Sequence, residues 1–159
     1  MAPAGRVKSA KMKAVVQRVQ EAAVEAAGTE IGRIGLGLLV FLGVAKGDGE
    51  ADSRFMIDKI SGLRIFNDPQ GKMNRSLKDT EGSALVISQF TLLGDTTKGR
   101  RPGFDQAAPP EVARSLYGHV IAGLQRQGIT IESGRFGAHM LVSLKNDGPV
   151  TFILDSKES

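Results

Sequence analysis

Apolar positions in this chain recur mostly at the two-residue spacing of strands, and only two stretches switch to the spacing of a helix. Residues 13–20 and 22–27 alternate as half-buried strands do, Gly28 to Gly35 carries a turn, and Leu36 to Val44 is a continuous apolar run that fits a buried strand. A further strand spans 84–92, beginning with Ala84-Leu85-Val86-Ile87. The first helical stretch runs from Glu50 to Phe66, with Phe55, Met56, Ile60 and Leu63 on one face, Asp48 near its start and Asn67-Asp68-Pro69 to stop it. The second opens at Pro110-Glu111, carries Val112, Leu116, Val120, Ile121 and Leu124 as a stripe, and ends before Gly128. Residues 67–82 and 93–109 read as loops, and Ile129–Ser133, Met140–Leu144 and Val150–Leu154 as three closing strands. The pattern predicts an α+β chain rich in β structure, with two main helices and no internal repeat.

Two segments between these elements carry polar residues in an unusual order. Asn146-Asp147-Gly148-Pro149-Val150-Thr151 places a Gly-Pro peptide between two strand-like runs, which predicts a tight turn linking sheet elements. Ser88-Gln89-Phe90-Thr91-Leu92 closes the apolar run that precedes it. On their residues alone both have plain structural accounts: a hairpin at Gly148-Pro149, and a strand terminus in which Phe90 is core and its polar neighbours satisfy backbone. Arg18 on the same terms is a strand charge facing solvent, Phe136 and Met140 are core, and Lys98, Arg100 and Arg101 form a solvated basic loop.

Composition narrows the chemistry. A chain of 159 residues fits one domain. It has no cysteine, which excludes disulfides and thiolate catalysis and is compatible with a reducing cytoplasm. Residues 1–11 include Arg6, Lys8 and Lys11 with no acidic residue, so they read as a flexible basic tail ahead of a domain spanning 12–159. The net charge of +4 makes a polyanionic partner plausible. The longest apolar run, Leu36–Val44, falls far short of the roughly 20 residues a membrane span needs.

Several familiar chemistries fail on placement. Gly32, Gly35 and Gly37 have dinucleotide-like spacing, but a strand follows where that fingerprint needs a helix N-terminus under a pyrophosphate. A Ser88 or Thr91 nucleophile would need a base, and neither His119, inside the second helix, nor His139 stands at a spacing that fixes a triad. Those two are the only histidines, too few for an evident metal site, so no metal and no cofactor is expected.

With the opening Met12-Lys13-Ala14-Val15-Val16-Gln17-Arg18-Val19 and the central Lys98-Gly99-Arg100-Arg101-Pro102, the two motifs resemble the D-aminoacyl-tRNA deacylase family over about Met12 to Asp155. The resemblance implies a barrel-like sheet and a metal-independent, cytoplasmic homodimer. It also implies hydrolysis of the ester of D-aminoacyl-tRNA, and of mischarged glycyl-tRNA. Ser88, Gln89, Phe90 and Thr91 would hold the terminal adenosine and the ester, with the terminal 2′-hydroxyl assisting hydrolysis. Gly148-Pro149, as a cis peptide from the partner subunit, would reject L-amino acids by setting a backbone carbonyl against the α-carbon. Arg18, Asn146, Asp147, Val150 and Thr151 would support that pair, Phe136, Gly137, Ala138 and Met140 line the pocket, and Lys98, Arg100 and Arg101 meet RNA. The rival expectations are a non-catalytic RNA-binding module and a small-ester hydrolase with Thr91 as nucleophile.

Overall fold

The computed structural model describes residues 10–158, so most of the predicted tail lies outside the described residues. Its centre is one long strand, β1 (Lys13–Ala26). On one edge β1 pairs antiparallel with β3 (Gly37–Gly43) from Lys13 to Val19, and with β2 (Thr29–Ile34) from Ala22 to Ala26. The change of partner falls at Gln20-Glu21, which is why the alternation reads as two strands there although the backbone is continuous. The expected turn over 28–35 shrinks to Ala27-Gly28, both with positive φ (52° and 78°), and β2 occupies most of the remainder.

The apolar run after β2 behaves as its pattern requires. Leu38, Val40 and Leu42 face one core, with Met56, Leu116 and Val120 of the helices, while Leu39 turns the other way to join Val19, Ala22, Val24, Leu85 and Ile87. A strand buried on both faces has no polar face to show, so alternation disappears. Parallel pairing of β3 with β6 (Ser83–Ser88) and of β6 with β7 (Thr130–Ser133) extends the sheet to the order β2-β1-β3-β6-β7. The result is a nearly closed, barrel-like sheet.

Helices α1 (Glu50–Gly62) and α3 (Pro110–Arg126) cover the first core and pack on each other, Gly123 giving room for Ile57. The first helix ends at Gly62, short of Phe66, and its cap differs from the expectation. Asp52 Oδ2 accepts from the Gly49 N–H at 2.9 Å, whereas Asp48 accepts from Met12 N–H at 3.2 Å and from Ala45 N–H at 2.7 Å. Burial pushes the Asp48 carboxyl up to about 6. The expected loop 67–82 contains a small hairpin, β4 (Phe66–Asn67) with β5 (Met73–Arg75), and a single turn, α2 (Leu77–Thr80), capped by Ser76. Among the described residues no helix is long and apolar enough to cross a membrane.

The final segment corrects the sequence expectation most strongly. Met140 to Asp155 is a single strand, β8, which runs antiparallel to β1 from Ala26↔Met140 to Lys13↔Asp155. Since both flanks of Gly148-Pro149 pair with the same strand in unbroken order, the chain does not reverse there. The Gly-Pro peptide sits in a bulge instead, and is cis.

Candidate active site

Strand β6 ends at Ser88, not at Leu92. Gln89 adds one more parallel bond, N–H to the Leu42 carbonyl at 2.8 Å, and Phe90–Leu93 then tightens into a 3₁₀ turn closed by Leu92 N–H to Gln89 O (3.2 Å) and Gly94 N–H to Thr91 O (3.0 Å). The first two amides of such a turn, those of Phe90 and Thr91, have no acceptor among the described residues. Gln89 Nε2 donates to Thr91 Oγ1 at 2.7 Å. Phe90 is 55% exposed, so it is not core.

This turn forms one wall of a cavity of about 550 Å³. The facing wall is the segment Phe136 to Met140, shaped by Ala138 N–H bonding to the Arg135 carbonyl at 3.1 Å and by Gly137 at φ 76°. Pro110 and Ala113, from the start of α3, supply the third side. Phe136 lies 6.1 Å from the Tyr117 ring, whose hydroxyl donates to the Val86 carbonyl at 2.7 Å and is pushed up to about 12 by burial. His139 also lines the cavity but bonds neither Ser88 nor Thr91, and His119 is exposed on α3. Among the described residues no cluster of three or more His, Cys, Asp or Glu could hold a metal ion.

The bulge on β8 is a separate construction. With Gln17 opposite Thr151 and Val19 opposite Asn146, Arg18 alone faces Asp147–Val150. Arg18 is only 7% exposed; its Nε donates to the Asp147 carbonyl at 3.3 Å and pairs with the Asp147 carboxylate at 3.1 Å, and a terminal nitrogen donates to the Ile65 carbonyl at 2.8 Å. Asn146 Nδ2 bridges the neck of the bulge, donating to the Arg18 carbonyl at 2.9 Å and the Val150 carbonyl at 3.1 Å. Gln17 Nε2 donates to Thr151 Oγ1 at 3.1 Å, and Val150 is buried. Gly148 and Pro149 are left exposed at the tip, and neither lines the cavity. One protomer therefore unites Ser88–Phe90 with Phe136–Met140 but leaves Gly148-Pro149 apart from them.

Lys98, Arg100 and Arg101 are exposed on a loop whose neck is closed by reciprocal Asp95–Gly103 backbone bonds of 2.7 and 2.9 Å. Beside the neck Phe104 meets Phe90 edge to face, centroids 5.1 Å apart, which ties the basic loop to the 3₁₀ turn. The sequence reading passed over Phe104 and Tyr117. Tyr117 adjoins Leu116 of the helical stripe, which was the available signal, but Phe104 stands in a loop with no periodicity to mark it.

Fold and cavity together define the class: an α+β protein with a barrel-like sheet and a cavity walled by backbone donors at a strand end. A solved structure described as a probable eukaryotic D-amino acid tRNA deacylase shares the fold with a TM-score of 0.78 at 18% identity, covering 91% of this chain and 98% of that one. One described as a c-Myc DNA unwinding element binding protein aligns with a TM-score of 0.84 at 41% identity, over 90% of this chain and 97% of its own. A family model described as D-Tyr-tRNA(Tyr) deacylase matches residues 15–155, and the chain belongs to that family. Curated D-aminoacyl-tRNA deacylases are similar to it nearly end to end. That of Geobacter sulfurreducens is 55% identical over 92% of this chain and 96% of its own, and that of Heliobacterium modesticaldum 53% identical over 92% and 97%.

Proposed function

We propose that this protein removes D-amino acids from tRNA in the cytoplasm, and also clears mischarged glycyl-tRNA, as a homodimer that needs no metal. The observation that carries the mechanism is the 3₁₀ turn after Ser88, where among the described residues two backbone N–H donors lack acceptors and Thr91 Oγ1 receives a hydrogen bond from Gln89 but from no base. Such a turn suits catalysis by placement. Oriented donors stabilise the oxyanion that forms when water adds to the ester carbonyl. The vicinal 2′-hydroxyl of the terminal ribose, held close, assists that water. An aminoacyl ester is already reactive, and each tenfold of acceleration needs only about 1.4 kcal/mol. Ser88, Gln89, Phe90 and Thr91 hold the ester end, Phe136, Gly137, Ala138 and Met140 the other side of the pocket, and Lys98, Arg100 and Arg101 neutralise RNA phosphates.

The Gly148-Pro149 tip is the chiral filter and acts in the partner's cavity. Support comes from its separation from the cavity of its own protomer, from the anchors Arg18, Asn146, Asp147, Val150 and Thr151 that fix it while leaving it exposed, and from the strand that carries it. Among the described residues strand β8 pairs only with β1, and it shows Leu141 (61%) and Ile153 (76%) to solvent, an unprotected edge of the kind that associates. A carbonyl set against the α-carbon admits hydrogen and collides with a side chain of the wrong hand, so glycine passes as D-residues do.

The test is release of free amino acid from matched D-tyrosyl-, L-tyrosyl- and glycyl-tRNA, with and without chelator, and from D-tyrosyl-tRNA lacking the terminal 2′-hydroxyl. Rapid release from the D-ester and glycyl-tRNA is expected, little from the L-ester, no effect of chelator, and a large loss without the 2′-hydroxyl. Full activity on the 2′-deoxy substrate would overturn the RNA-assisted step, and no release above background would overturn the deacylase reading.

A further inference from the structure

Arg114 follows Ala113, a cavity residue, on α3, and its guanidinium carbon stands 5.0 Å from the centroid of the Phe136 ring in the facing wall. That ring also lies 6.1 Å from the Tyr117 ring, whose hydroxyl is tied to the Val86 carbonyl. Arg114 is exposed and makes no ion pair or side-chain hydrogen bond among the described residues, even with Glu111 one turn earlier. Arg135, the residue before Phe136, is exposed and unpaired in the same sense. Arg18, Arg33, Arg54 and Arg75 do have partners, whereas Arg64, Arg100, Arg101 and Arg126 share the unpaired state of Arg114 among the described residues; what sets Arg114 apart is its place over the Phe136 ring. The Arg114 guanidinium therefore stands on one wall of a largely apolar cavity, and Arg135 adjoins that wall in sequence.

A guanidinium stacked on a ring is fixed in plane while its N–H edge stays free, the arrangement that suits two-point contact with a phosphate. The ester of an aminoacyl-tRNA lies one ribose from a phosphodiester, in a single-stranded tail. A cavity that takes the ester must bring that phosphate to its mouth. We propose that Arg114, with Arg135 beside it, forms a phosphate-binding site for the single-stranded 3′ end of the RNA, built on the Phe136 wall and separate from the basic loop at Lys98–Arg101. The identity of the ligand rests on the deacylase reading, whereas the charge and the stack do not.

The experiment titrates a short fluorescent single-stranded RNA ending in CCA with the full protein at several salt concentrations, for wild type, Arg114→Gln, Arg114→Lys and the double variant Arg114→Gln/Arg135→Gln. The slope of log affinity against log salt should flatten by about 0.7 in Arg114→Gln and about 1.4 in the double variant, one single-strand phosphate contact each. Arg114→Lys should keep the wild-type slope. On D-tyrosyl-tRNA, Arg114→Gln should raise KM more than it lowers kcat. An unchanged slope in Arg114→Gln, or no binding of the RNA by wild type at low salt, overturns the site. So does a loss of kcat shared by Gln and Lys variants at constant slope, which would reduce Arg114 to a prop for Phe136. Absence of D-ester hydrolysis by wild type would count against the deacylase reading alone, because the binding slope is read without turnover.

Discussion

A single methyl group at position 148 would test how the bulge is held. A Cβ there would lie 2.8 Å from Asn146 Oδ1, and that amide cannot swing away freely because its nitrogen bonds both the Arg18 and Val150 carbonyls. Displacing it forfeits two hydrogen bonds worth about 1 kcal/mol each. Gly148→Ala should therefore lower stability by about 1–2 kcal/mol in thermal melts. Release from the D-ester should fall at least about tenfold, which roughly 1.4 kcal/mol of misfit of the displaced carbonyls in the cavity they enter suffices to cause, and the D-over-L ratio should fall with it. An unchanged rate with an unchanged ratio would sink the filter assignment. Asp48 allows a second test, by pH. Its carboxyl is raised in the folded chain from 3.8 to about 6, so the native state holds the proton more tightly than the unfolded one. Its contribution to stability accordingly falls as pH rises from about 4 to about 6 and is constant above that. The stability difference between wild type and Asp48→Ala, followed by denaturant titration at several pH values, should be more favourable to wild type at pH 4 than at pH 7. A difference that grows with pH would contradict the assigned cause.

Elements explain which parts of this architecture are legible in the residues. The two main helices are, because their apolar stripes depend on local spacing alone, and so is the doubly buried β3. The bulge is not. Gly-Pro between two apolar runs ordinarily marks a reversal, and only the 14-residue length of β1, remote in sequence, lets both halves of β8 pair with one partner. The cavity was half legible: Ser88–Phe90 and Phe136–Met140 were singled out by motif, but the residues that brace them, Tyr117, Phe104 and Arg114, come from α3 and a loop whose packing no local pattern records. Between β3 and β6 the contact is close enough to be tested by one atom. Gly37 faces Ser83, and a Cβ on Gly37 would fall on the Ser83 backbone, which cannot yield without breaking the parallel pairing. Gly37→Ala should cost about 1–3 kcal/mol or more in urea unfolding. It should also lower activity, because β6 leads into the 3₁₀ turn proposed to hold the ester. Gly35→Ala, where nothing lies within 4 Å of the added carbon, should stay within about 0.5 kcal/mol of wild type. Equal effects at the two positions would refute the packing argument.

At the scale of the whole molecule, the separation of bulge and cavity within one protomer decides what a complete site requires. If the bulge serves the cavity of its own chain, two different inactive variants gain nothing by mixing. If it serves the partner's, they rescue each other. The variants are Gly148→Ala, which disturbs the bulge and leaves the cavity intact, and Ala138→Phe, which fills the cavity and leaves the bulge intact. In a mixed dimer the cavity of the first subunit receives the bulge of the second, and both are wild type; the opposite site carries both defects. Random exchange makes about half of the dimers mixed, each with one working site in two, so an isologous pair predicts recovery of about a quarter of wild-type activity. Neither variant alone should show it, and the gain should vanish when Ile153→Glu places a charge on the exposed edge of β8 in both chains. Mixed samples that exchange subunits, as followed by mass spectrometry, yet show no more D-ester hydrolysis than the mean of their parents would place each filter over its own cavity.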